Sequence, residues 1–148
     1  MIDGFLFSTE KTLLDLQYIH QFLSERSYWA KGVPQALLER AVANSICIGV
    51  YHNKRQVGFA RVITDTATFG YLADVFIDDG YRGKGLSKRL MEFILSFEET
   101  KMFRRFMLAT RDAHSLYAQY GFTPLSSPDR FMEKHQPEVY KQTDRSII

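Results

Sequence analysis

Tyr81-Arg82-Gly83-Lys84-Gly85-Leu86-Ser87-Lys88-Arg89-Leu90 joins two apolar runs of different period through a turn rich in glycine and cations. Before it, Leu72-Ala73-Asp74-Val75-Phe76-Ile77 has the length and the aromatic and β-branched content of a strand. After it, Leu86, Leu90, Phe93, Ile94 and Phe97 recur at helical spacing. A strand, a glycine turn and a helix start thus follow in order. The first N–H groups of a helix lack intrahelical partners, and the macrodipole adds partial positive charge there, so a pyrophosphate can rest on main chain alone. Gly83 and Gly85 have no Cβ to keep it away, and Arg82, Lys84, Lys88 and Arg89 cluster at the same place. A turn that merely links strand to helix has the same composition, so the turn alone leaves both readings open.

Two familiar phosphate motifs do not fit. A P-loop needs a hydroxyl after its lysine, whereas Lys84 is followed by Gly85. A dinucleotide fingerprint has the glycine order G-x-G-x-x-G near the start of a βαβ unit, whereas Gly80-x-x-Gly83-x-Gly85 runs in the reverse order and late in the chain. Arg82-Gly83-Lys84-Gly85-Leu86-Ser87 instead resembles the [QR]-x-x-G-x-[GA] signature of the GNAT superfamily of acyl-CoA-dependent N-acyltransferases, with Ser87 in place of Gly or Ala. Ala113-His114-Ser115-Leu116-Tyr117-Ala118-Gln119-Tyr120-Gly121-Phe122 resembles a second segment of that family, A-x-x-[LF]-Y-x-x-x-G-F, in the family's order. The strand-like Phe106-Met107-Leu108-Ala109-Thr110 stands between them, and the resemblance extends from about Ser45 to Phe122.

The 148 residues suit one domain with a sizeable core. A hydrophobic fraction of 45% with 24% charged residues is ordinary for a globular chain, and 20 Phe and Tyr residues favour aromatic-lined clefts. A net charge of +2 is too small to argue for a nucleic-acid partner. No apolar stretch reaches membrane-spanning length and no secretory pattern opens the chain, so a cytoplasmic protein without a membrane partner is expected. Cys47, the single cysteine, lies among Ile46, Ile48 and Val50 and reads as apolar filler. His20, His52 and His135 show no ligand spacing, so no metal is expected.

Read in order, the chain predicts a strand at Phe5-Leu6-Phe7 and a helix capped by Ser8 or Thr9, with Leu13, Leu16, Ile19 and Leu23 on its apolar face. A second helix runs from Pro34 to about Ala43. Strands at 45–52 and 56–64 flank a turn at Asn53-Lys54-Arg55, and a third spans 69–77. The glycine turn, a helix, a strand, a second short helix and a last strand follow. The expected class is α/β (α+β): a mixed, mostly antiparallel central sheet flanked by helices. Past Phe122, three prolines break the pattern; Phe131-Met132-Glu133-Lys134 is a short element of open type, and from Glu138 the chain docks loosely or frays.

The resemblance implies an N-acetyltransferase in which a neutral amine attacks the thioester of acetyl-CoA, the co-substrate. It implies that N–H groups from Gly83 through Lys88, including Leu86 and Ser87, ring the pyrophosphate beside Arg82. It also implies that Val75, Phe76 and Ile77 offer main chain to the pantetheine, as in strand addition. Tyr117 matches the family's tyrosine near the sulfur, a general acid for the departing thiolate; its alternative is a core tyrosine. Asp74 is the first candidate for the base that deprotonates the amine, against a carboxylate that caps or pairs with an arginine. Tyr28 and Trp29 occupy the region that walls the acceptor site in relatives, or else plug the helices onto the sheet. His114 is either a proton relay or a surface histidine, and Arg111 and Asp112 read as a surface charge and a helix cap. The runner-up function is a non-catalytic acyl-CoA-binding module of the same fold. An exposed sheet edge near the C-terminus would permit a homodimer.

Overall fold

In the computed structural model, which describes residues 3–142, five strands form one sheet in the order β1 (Phe5–Ser8), β2 (Ile46–His52), β3 (Arg55–Thr64), β4 (Phe69–Ile77) and β5 (Arg105–Leu108). Each of β1 to β3 pairs antiparallel with the next, and β4 pairs parallel with β5, the mixed and mostly antiparallel sheet that the element order predicts. Helices α1 (Leu16–Arg26) and α2 (Gln35–Ala43) lead into β2; α3 (Leu86–Leu95) follows β4, and the short α4 (Glu98–Met102), α5 (His114–Ala118) and α6 (Val139–Gln142) complete the elements.

Strand alternation divides the core in two. Ile48, Val50, Val57, Val62, Leu72 and Ile77 pack with Leu86, Leu90, Met91 and Ile94 of α3. On the opposite face, Cys47, Phe59 and Phe76 pack with Ile19, Phe22 and Leu23 of α1 and with Leu38 and Val42 of α2. Phe22 stacks flat on Phe76 at 3.8 Å between ring centroids. Cys47 is buried filler, as its apolar neighbours in the sequence suggest. The hairpin between β2 and β3 closes on Asn53 and Lys54, both left-handed (φ 50 and 68), a two-residue turn whose twist matches the strands.

Three expectations are corrected. The cap of α1 is Asp15, whose side chain accepts from the Tyr18 N–H at 3.0 Å, and not Ser8 or Thr9. A 3-10 turn at Lys11–Leu13 intervenes and leaves Leu13 48% exposed, off the apolar face. Asp15 is set there by a distant residue, because its own N–H donates to Gln56 Oε1 at 2.8 Å. The strand expected after α5 does not form. Gly121 turns the chain at φ +90, and the prolines that follow cannot donate to a ladder; the next regular piece is a 3-10 turn at Pro128–Arg130. Residues 131–136 have no regular structure, and 143–148 lie outside the described residues.

Candidate active site

The register between β3 and β4 jumps in mid-strand. Phe59 pairs with Phe76 and Arg61 with Ala73, so Asp74 and Val75 together oppose Ala60. This is a β-bulge, and Asp74 sits in it at φ 56. The extra residue resets the alternation: Leu72 and Val75, three apart, both face the α3 core, while Phe76 faces α1 and α2. The Asp74 carboxylate points to the α1 and α2 side. Trp29 Nε1 donates to its Oδ1 at 2.8 Å, and Arg61 Nε donates to its Oδ2 at 2.8 Å. The side chains of Arg61 and Asp74 are only 15% and 8% exposed.

At the bulge the sheet is already split. Pairing of β4 with β5 ends at Leu72 and Leu108, so among the described residues the main chain from Ala73 to Ile77 has no strand on its β5 side. A cleft of about 600 Å³ reaches this opening, with Tyr28, Trp29, Arg61, Asp74, Val75 and Tyr117 on its walls. Tyr117 is 9% exposed on α5 and rests edge-on to Phe122. Its hydroxyl makes no hydrogen bond among the described residues, and burial pushes the phenol up from its ordinary range. A second cleft of about 800 Å³ lies along β5, α5 and 121–126, and Tyr117 lines both, with Leu108, Ala109 and Thr110.

The glycine turn lies at the end of β4. Asp78 accepts from the Gly80 N–H at 3.1 Å and from the Tyr18 hydroxyl at 3.1 Å, shaping a 3-10 turn at Asp79–Tyr81. Gly83 (φ +78) and Gly85 (φ +75) then turn left-handed into α3, whose first turn has no side-chain cap. A Cβ at either glycine would meet nothing within 4 Å, so conformation and not crowding calls for glycine, and space is open over the helix start. Leu86 anchors the turn in the core, while Gly83, Lys84, Gly85 and Lys88 face solvent and Ser87 is half-buried. Arg82 is turned back, with Nε on the Ile77 carbonyl at 3.3 Å and its guanidinium 3.2 Å from Asp79. Tyr120 ties α5 to α3 by donating to the Lys88 carbonyl at 3.2 Å.

Of the residues singled out in the sequence, Tyr28, Trp29, Asp74, Val75 and Tyr117 meet on one cleft. Phe76 and Ile77 put their side chains into the core and leave only main chain at the opening. Tyr28 and Trp29 are 47% and 42% exposed, and Trp29 joins the segment between α1 and α2 to the sheet through Asp74. Asp112 does not cap α5: Ala113 holds that position and its N–H donates to Thr110 Oγ1 at 3.0 Å. Arg111 is exposed, as a surface charge would be, and its guanidinium lies 3.8 Å over the Tyr28 ring while its N–H donates to the Tyr28 hydroxyl. Arg61 escaped the sequence reading, although a charge between Ala60 and Val62 on an apolar strand demands a buried partner and was a legible signal.

Residues 43–124 match the sequence model of the family described as Acetyltransferase (GNAT) domain. The chain belongs to the GNAT acetyltransferase family. A GNAT acetyltransferase from Xanthomonas campestris pv. campestris has a solved structure that superimposes with a TM-score of 0.91 at 47% identity, over 95% of this chain and 99% of that one. A Gibberella zeae protein named as an acetyltransferase is 31% identical over 135 residues, 78% of this chain and 76% of its own. Streptothricin acetyltransferase of Escherichia coli is 27% identical over 68% of this chain and 59% of its own length. This GNAT protein is therefore an acetyl-CoA-dependent acyltransferase that binds the co-substrate and an acceptor. Among the described residues no helix is long and apolar enough to cross a membrane, and no group of three His, Cys, Asp or Glu could hold a metal.

Proposed function

We propose that the protein transfers the acetyl group of acetyl-CoA to a primary amine, on a small molecule or peptide, by direct attack. The observation that carries this reading is the meeting of three features at one opening: the unpaired edge of β4 past Leu72, the bulge at Asp74 and Val75, and the unpartnered Tyr117 hydroxyl. The open edge fits a pantetheine arm, whose amides can pair with Val75 to Ile77 as a strand would. The uncapped start of α3, with Gly83 through Lys88, fits its pyrophosphate.

Acetyl-CoA supplies an activated carbonyl and a thiolate leaving group. Main-chain N–H at the bulge polarises the carbonyl oxygen, a role that suits groups already fixed in place. Tyr117 stays protonated where an ordinary phenol would begin to ionise, so its hydroxyl remains a donor for the sulfur. Asp74 takes up the amine's proton through a water, using the lone pairs that Trp29 and Arg61 leave free. Tyr28 and Trp29 wall the acceptor's place, with the Arg111 cation over Tyr28 at its rim.

The test is release of free CoA thiol with acetyl-CoA and a panel of polyamines, amino acids, aminoglycosides and peptides. Tyr117→Phe should lower kcat by about 10²-fold or more while leaving the KM for acetyl-CoA nearly unchanged. Acetyl-CoA binding without turnover on any amine would assign a binding module instead.

A further inference from the structure

The Asp74 carboxylate is held by two side chains from outside β4. Trp29 comes from the segment between α1 and α2 and Arg61 from β3. Arg61 is itself braced, because its Nη1 donates to Ser45 Oγ at 3.0 Å. Ser45 hands its own proton to the Ala41 carbonyl at 2.7 Å, which turns its lone pairs toward the guanidinium. A continuous chain of bonds thus runs from the end of α2 through Ser45, Arg61 and Asp74 to Trp29. Asp74, its member next to last, is also the residue that occupies the bulge at φ 56.

An L-residue is disfavoured in that region, although Asp tolerates it better than most. Fixing both carboxylate oxygens leaves the Asp74 main chain little freedom to return to the ladder. The next peptide, from Asp74 to Val75, lies on the stretch of β4 that has no strand on its β5 side among the described residues and lines the same cleft. We propose that Arg61 and Trp29 are positioning residues for acetyl transfer, which hold Asp74 and, through it, the Asp74–Val75 peptide in the orientation the reaction uses. The proposal rests on the acetyl-transfer reading above.

Trp29→Phe keeps the ring and deletes the donor, while Ser45→Ala removes the brace on Arg61 at a residue that does not line the cleft. Each should lower kcat about three- to tenfold, the net worth of one hydrogen bond, with the KM for acetyl-CoA unchanged. Asp74→Gly supplies the control, since glycine adopts φ 56 freely and offers no carboxylate to hold. In that background, assayed above the amine's own pKa so that no base is needed, Ser45→Ala should have no further effect. Effects that persist there at full size, or single variants with unaltered kcat, overturn the proposal. Trp29 is the chain's one tryptophan, so its indole N–H gives a single NMR cross-peak that needs no turnover to read. That peak should move in Ser45→Ala toward its position in Asp74→Gly, and an unmoved peak counts against the chain of bonds. Wild-type protein is run beside them: absence of turnover on every amine removes both readings, whereas an active enzyme indifferent to these variants removes only this one.

Discussion

The two ends of the cleft are built by different means. At the start of α3, Gly83, Gly85 and the buried Leu86 follow one another in the chain, and the turn takes its shape from their own φ values. At the bulge, Asp74 is fixed by Trp29 and Arg61, 45 and 13 residues away. One end is a local conformation and the other is a convergence of side chains. The first is weakened by what a substitution does to the backbone, the second by what it leaves unpaired.

Arg61→Ala should have the largest effect on stability. It leaves the Asp74 carboxylate, 8% exposed, without its cation, and removing one partner of a buried pair typically costs about 3–5 kcal/mol. The urea midpoint should fall accordingly, whereas Lys84→Ala, on the solvent side of the glycine turn, should leave it within about 0.5 kcal/mol. Similar losses for the two variants would erase the contrast between the ends.

Gly85→Ala tests the local end. A Cβ there meets nothing within 4 Å, so the cost is that of an L-residue at φ +75, about 1–2 kcal/mol. The rise in melting temperature on adding acetyl-CoA should also shrink, because relaxation of the turn tilts the N–H groups of α3 away from the anion. A variant with full stability and an unchanged acetyl-CoA response would mean that the turn is not held by glycine at this position.

The same contrast explains what the sequence discloses. The glycine turn, the Asn53-Lys54 hairpin and the strand through Ile77 are set by neighbours in the chain, and each is readable from composition and period. Tyr117 and Asp74 are singled out by the family resemblance, Tyr117 in its second segment and Asp74 on the strand that leads to the glycine turn. The bulge was not legible, since it exists only in the register of β4 against β3 and Asp74 has no local mark of a left-handed residue. Nor was the start of α1, which Gln56 fixes from β3 through the Asp15 N–H. Past Phe122 the reverse holds: the local pattern allowed a strand, but no ladder on β5 accepts it among the described residues.

Tyr51→Phe should have the smallest effect, and its sign separates the proposed positioning chain of bonds from polar burial elsewhere on the same face. Tyr51 lies across Gly49 on β2, where a Cβ would overlap its hydroxyl, and that hydroxyl is buried with no partner among the described residues. Burial pushes the phenol up from its ordinary 10.0 to about 12. Losing an unsatisfied buried hydroxyl should be neutral or stabilising by up to about 1 kcal/mol near pH 7. As pH rises from 10.0 toward 12, the unfolded chain releases the Tyr51 proton before the folded one does, so the wild type loses stability across that window. Tyr51→Phe lacks this share of the loss, and its urea midpoint should fall less steeply over the same pH range while kcat stays at the wild-type value. The remaining slope belongs to groups such as Cys47, whose thiol burial raises to about 11. A Tyr51→Phe variant that lowers kcat would extend the positioning network beyond Ser45, Arg61, Asp74 and Trp29 to the opposite end of β2, and a single local node would no longer describe that side of the cleft.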